Sequence, residues 1–247
     1  MKIAVLGASG TAGREVVRHA RANGHDVAEL SRSAGIDLAT GAGLVEAFAG
    51  QDVVIDASAP QGGNDDDVVA VHKTAAQHVS KAAQEAGVGH LMYLSICNIG
   101  DECFDEFDYY VAKREQEDVY TASPLATSIV RSAQWMEFAD NPAAVQFSDR
   151  EVVVSDWLIQ PIAVSEVAAA LVRTSEGDPS NYDVAGPEQI RLPELTERLL
   201  RSRGDERPVR SEEPSIPQLA KGVLLAPKGA KILGPTPSQW LDEAAEE

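Results

Sequence analysis

Lys2-Ile-Ala-Val-Leu6, Gly7-Ala-Ser-Gly10-Thr-Ala-Gly13, Arg14-Glu-Val-Val-Arg-His-Ala-Arg-Ala-Asn23 and Asp26-Val-Ala-Glu-Leu-Ser31 follow one another at the head of this chain. The first piece is a short apolar run of strand character and the second a glycine turn. The third has helical character and is stopped by Gly24, and the fourth is a second strand. Strand, glycine turn, helix and strand make the first βαβ unit of a nucleotide-binding sheet. Glycine lets the turn take positive φ without strain and keeps side-chain atoms from blocking a pyrophosphate. The helix that follows offers unpaired N–H groups and the positive end of its dipole. No Gly-Lys-Ser/Thr follows, which excludes a P-loop.

The spacing Gly7-x-x-Gly10-x-x-Gly13 differs from the Gly-x-Gly-x-x-Gly of the dinucleotide fingerprint. It resembles the glycine loop of the short-chain dehydrogenases/reductases. Gly-Ala-Ser-Gly-Thr-Ala-Gly resembles the atypical, NmrA-like branch of that family. The resemblance implies a Rossmann-type, doubly wound parallel α/β sheet with a small C-terminal substrate lobe. It also implies an NAD(P) site built on Gly7, Ser9, Gly10, Thr11, Ala12 and Gly13.

The end of the second strand bears on which nucleotide is taken. An acidic residue there would accept from the adenosine ribose and repel a 2′-phosphate. Glu29 lies two residues inside the strand, and the tip is Ser31-Arg32-Ser33. The Arg32 guanidinium is a planar, permanently charged fork suited to phosphate, so NADP is expected over NAD. In similar reductases an Asp-Leu pair lies by the adenine, which makes Asp37 and Leu38 candidates. The apolar run from Asp52 to Asp56 reads as a buried parallel strand. It leads into Ala57-Ser58-Ala59-Pro60, where the family's cofactor loop would be.

A polar loop over 61–67 and a helix over 66–86 come next, then a strand from His90 to Ser95. A helix from Tyr109 to Tyr120 and a fifth strand from Leu125 to Arg131 complete the alternation. Tyr109-x-x-x-Lys113 puts two side chains one helical turn apart on one face. A phenol is a poor acid or base near neutrality, and a lysine ammonium beside it favours the phenolate. Ser95, at the carboxyl end of its strand, stands where open α/β sheets bind ligands. Short-chain dehydrogenases use such a Ser/Tyr/Lys set, and Ser95, Tyr109 and Lys113 match its positions. Tyr110 would pair with Arg114 and departs from the motif. The loop between carries Asp101, Glu102, Asp105, Glu106 and Asp108, which would repel anionic substrates if it lined the pocket.

Beyond Arg131 the alternation breaks. Ser132-Ala-Gln-Trp135-Met-Glu-Phe138 resembles the segment where NmrA-like proteins leave the sheet. Gln160-Pro161, Ala185-Gly-Pro187 and Trp240-Leu241 match that lobe in layout. Residues 1–131 are therefore expected to form the nucleotide-binding core, its sheet completed by 181–186. Residues 132–247 are expected to form the lobe and C-terminal cover in the same compact unit. The stretch 207–237 reads as irregular, followed by a helix over 238–246.

The 247 residues are 44% hydrophobic, enough for a substantial core, and no run is long enough to span a membrane. The first residues run straight into structure rather than into a signal peptide. Thirty-nine acids against 21 bases leave a net charge of −18, which repels nucleic acid and anionic membranes. Two cysteines and five scattered histidines give neither a disulfide framework nor a metal site. The expected setting is the cytoplasm and the expected partner a small-molecule substrate. Two functions fit: NAD(P)H-dependent reduction of a carbonyl, quinone or enone, or non-catalytic NAD(P) binding that reports redox state to a partner. Substrate identity and oligomeric state stay open at this point.

Overall fold

The structure is a computed structural model that describes residues 1–60 and 67–244. Most of the loop expected over 61–67 and the end of the terminal helix lie outside those residues. The chain forms two units, Met1–Arg131 with Val167–Tyr182, and Ser132–Glu166 with Asp183–Glu247.

The first unit runs β1 (Lys2–Leu6), α1 (Thr11–Ala22), β2 (Asp26–Leu30), α2 (Leu44–Phe48), β3 (Val53–Asp56), α3 (Val68–Glu85), β4 (His90–Ile96), α4 (Asp108–Thr121) and β5 (Thr127–Ser132). Its strands lie in the order β5-β4-β3-β1-β2. The pairs β1/β2, β1/β3 and β3/β4 are parallel, in registers such as Leu6↔Leu30, Leu6↔Asp56 and Asp56↔Tyr93. That reversal of strand order at β1 is the Rossmann arrangement.

Helix-covered faces explain why the central strands read as unbroken apolar runs. Ala4, Leu6, Val54, Leu91 and Tyr93 pack in one cluster with Leu44 and Phe48 of α2, Ala76, Val79 and Ala83 of α3, and Tyr120 of α4. Ile3, Val5, Val53 and Ile55, the alternate residues, are equally buried. The Val16, Val17 and Ala20 stripe of α1 is buried too. Asp67 caps α3, its carboxylate accepting from the Val69 and Ala70 N–H groups. Gly87, at φ +72°, follows its end.

The second unit holds β6 (Val145–Phe147), β7 (Val152–Ser155), β8 (Leu158–Ile159) and the start of α5 (Val164–Ser175). After β9 (Tyr182–Ala185) it continues with β10 (Ile190–Arg191), α6 (Leu192–Ser202), β11 (Val209–Glu212), β12 (Lys231–Ile232) and α7 (Pro237–Ala244). One small sheet has the order β11-β7-β6, another pairs β10 with β8, and β12 lies parallel to β9. The stretch read as irregular thus contains two strands. Both are short and exposed, so neither carries the apolar alternation that marks a strand in sequence. Among the described residues, no helix is long and apolar enough to cross a membrane.

Candidate active site

The glycine turn closes against the ends of three neighbouring strands. Gly7 N–H donates to Leu30 O at 3.1 Å, and Ala57 N–H donates to Leu6 O at 3.2 Å. Gly7 sits at φ +75°, and a Cβ there would stand 2.8 Å from Ala57 O and from Ser58 Cα. A Cβ on Gly13 would stand 2.0 Å from Gly7 O. The helix starts at Thr11, inside the glycine run rather than after it, so Gly13 lies in its first turn. No side chain caps α1, and its first turn holds no acid. The N–H groups of Thr11, Ala12 and Gly13 have no acceptor within the helix. Backbone donors and the positive helix end therefore gather at a turn packed so closely on its own backbone that a Cβ fits at neither Gly7 nor Gly13, and that donor set fits a pyrophosphate.

Arg32 is exposed at the tip of β2, opening a short 3-10 turn, and makes no ion pair among the described residues. Ser31 hydrogen-bonds Ser33, Oγ to Oγ, at 2.8 Å. Glu29 is drawn aside by Arg21 at 2.6 Å. Asp37 turns onto its own loop, accepting from Ala39 N–H at 2.9 Å and Thr40 Oγ1 at 2.8 Å. The Thr40 hydroxyl, then the Ala39 amide, hold its carboxyl below the usual range. Leu38 offers its carbonyl to His78 Nδ1 at 2.9 Å.

Ser95 is 2% exposed, and its Oγ has no hydrogen-bond partner among the described residues. Tyr109 and Lys113, one turn apart on α4, meet opposite environments. Tyr109 is 42% exposed, its ring edge-on to His72 at 6.1 Å. Burial of its hydroxyl end pushes the phenol above its ordinary value, so it stays protonated at neutral pH. Lys113 is 5% exposed, donates to Leu94 O at 2.9 Å and lies 4.2 Å over the Tyr93 ring. Burial brings its ammonium down to about 8, against the opposing pull of Asp56 and then Glu117. One turn of α4 thus carries a protonated phenol and a lysine whose pKa is lowered to about 8.

Beneath it lies a polar layer that motif reading misses. Asp56 accepts from Ser58 N–H at 2.9 Å, Ser58 Oγ at 2.6 Å and Tyr120 Oη at 2.5 Å. Tyr93 Oη donates to Gln116 Oε1 at 2.8 Å, and His72 Nδ1 meets the same oxygen at 2.7 Å. Burial lowers the His72 pKa and leaves the ring neutral at pH 7. Glu117 is held by Arg131. Lys113, Gln116, Glu117 and Tyr120 are all buried on one face of α4. That i, i+3, i+4, i+7 set of polar residues was a readable signal, as was an aspartate closing an apolar strand. The acidic loop before α4 uses its charges locally: Asp101 caps a 3-10 turn, and Asp105 pairs with Arg114 at 2.8 Å.

A parallel sheet with a glycine cradle at its strand ends defines a nucleotide-binding α/β protein. Residues 7–175 match the family model described as NAD(P)H-binding, and the chain belongs to that family. A search of the curated proteins found no match. Among solved structures, the fold is similar to that of the NADPH-dependent quinone oxidoreductase QOR2 from Escherichia coli in complex with NADPH. That match has 18% identity and TM-score 0.69, covering 98% of this chain and 99% of the other. The Bordetella bronchiseptica enzyme WbmH in complex with NAD+ aligns at 16% identity and TM-score 0.71, over 97% and 95% of the two chains. The Citrobacter sp. triphenylmethane reductase with NADP(H) aligns at 18% identity and TM-score 0.64, over 87% and 80%.

Proposed function

We propose that the protein is an NADP-dependent oxidoreductase of the atypical, NmrA-like short-chain dehydrogenase type. Its substrate is a small carbonyl, quinone or enone, and Tyr109 is the proton donor. The observation that carries this reading is the buried Lys113 ammonium, one helical turn along α4 from Tyr109. It donates to a single acceptor among the described residues, which leaves N–H groups for ligand hydroxyls such as those of a ribose. The names of the quinone and triphenylmethane reductases favour the same class of chemistry.

The nucleotide would lie on Gly7, Ser9, Gly10, Thr11, Ala12 and Gly13, with Ser31 and Arg32 at its adenosine end. Asp37, Leu38, Ala57 and Ser58 would border it, and Lys113 would hold the nicotinamide ribose. When bound, the nicotinamide supplies the hydride. The chain's own part is acid catalysis: Tyr109 Oη gives its proton to the substrate oxygen as negative charge develops there. Lys113 stabilises the phenolate left behind, and Ser95 Oγ donates to the same substrate oxygen and fixes its position. A phenol kept protonated by burial suits reduction.

Tyr109→Phe tests the assignment. The expected result is a loss of kcat of about 100-fold or more, with NADPH affinity unchanged by isothermal titration. Unchanged turnover in the variant would remove Tyr109 from the mechanism. NADPH binding by a wild-type protein that turns over no carbonyl, quinone or enone would favour the non-catalytic, redox-reporting alternative.

A further inference from the structure

Five Asp, Glu, His or Lys side chains are buried in the first unit: Asp56, His72, His90, Lys113 and Glu117. His72 and His90 are kept neutral at pH 7 by burial, and Glu117 is paired with Arg131. Asp56, 1% exposed, has only the Ser58 and Tyr120 donors and no cation within ion-pair distance among the described residues. Lys113 has only Leu94 O and the Tyr93 ring, with no carboxylate within that distance. One buried anion and one buried cation are thus left over.

They stand on either side of one aromatic pair. Tyr93, beneath the Lys113 ammonium, is the register partner of Asp56 on the adjacent strand. Its ring lies 5.0 Å from that of Tyr120, whose hydroxyl binds Asp56. We infer that Asp56 is a positioning residue: it is the buried counter-charge that keeps Lys113 an ammonium, acting across the Tyr93–Tyr120 pair. An isolated buried cation would otherwise shed its proton. The groups facing Lys113 are Asp56 from β3, Tyr93 from β4, His72 from α3, and Glu117 from its own helix, with Tyr109 one turn earlier on that helix. Of these, Asp56 is the strongest influence holding the charge in place.

The consequence for nucleotide binding rests on the function proposed above, but the charge coupling does not. The test is therefore made first on the nucleotide-free protein. The Lys113 side-chain resonance, assigned by its disappearance in Lys113→Met, is titrated by NMR in wild type, Asp56→Asn and Tyr120→Phe. Asparagine keeps the shape and can still bond Ser58 and Tyr120, so only the charge is lost. The Lys113 midpoint is expected to fall by about one pH unit or more in Asp56→Asn. In Tyr120→Phe, which keeps the carboxylate, it should not fall. An unchanged midpoint in folded Asp56→Asn overturns the inference. So does a fall of about one pH unit or more in Tyr120→Phe, an outcome that is read against wild type and needs no folded Asp56→Asn. NADPH titration at pH 7.5 follows, and Asp56→Asn is expected to bind several-fold more weakly, with recovery at pH 6. A midpoint shift in a protein that binds no NADPH would uphold the coupling and reject the proposed function instead.

Discussion

Lys113 is a costly side chain to bury, because an ammonium taken from water loses its hydration and has no direct ion pair among the described residues. Its pKa of about 8 against an ordinary 10.5 records that cost. The unfolded chain binds this proton more tightly, so the group's contribution to stability rises with pH between about 8 and 10.5 and is least favourable at neutrality. Lys113→Met is expected to raise the melting temperature at pH 7 by about 2–4 °C and to abolish turnover. In the wild type, kcat/KM for reduction should hold level below pH 7 and fall as pH rises through about 8, where Lys113 loses its proton. A calorimetric scan and a pH–rate profile check the two. The spacing Tyr109-x-x-x-Lys113 made the pair legible in sequence. The contrast between an exposed Tyr109 and a sunken Lys113 was not legible, because residues one turn apart share a face without sharing a depth. Asp56 escaped motif reading for a related reason: its partners Tyr120 and Ser58 are drawn together only when α4 packs on the sheet.

At the scale of elements, the glycine turn and the ends of β1 and β3 behave as one object. Gly13 has the tighter approach, its Cβ position only 2.0 Å from Gly7 O, whereas that of Gly10 is 3.2 Å away. Gly13→Ala is therefore expected to cost roughly 3 kcal/mol in a urea melt, in line with overpacking against rigid backbone, and to weaken NADPH binding at least tenfold. Gly10→Ala, which asks for a shift of a few tenths of an ångström, should cost under about 1 kcal/mol. Equal effects from the two would mean that close backbone approach is not what the glycines provide. The core elements were legible because buried parallel strands are apolar at every position, as Ile3 to Leu6 and Val53 to Ile55 show. The strands β6, β11 and β12 were not. Their residues are largely exposed, and their pairing depends on partners distant in sequence.

For the whole molecule, the net charge of −18 sets the problem that the site must solve. An acidic protein repels a polyanionic nucleotide at long range, so local positive features have to win at short range. In the proposed site the uncapped start of α1, Arg32 at the tip of β2 and buried Lys113 would be such features. Glu29, one residue before the end of β2, is tied to Arg21. The measurement that tests this account most directly is isothermal titration of the full chain with NADPH and with NADH at one ionic strength, repeated in Arg32→Ala. The account predicts that NADPH binds about tenfold or more tightly than NADH and that Arg32→Ala abolishes the preference, as loss of a charge-assisted phosphate contact would. Equal affinity for both nucleotides, or a preference untouched by Arg32→Ala, would contradict it.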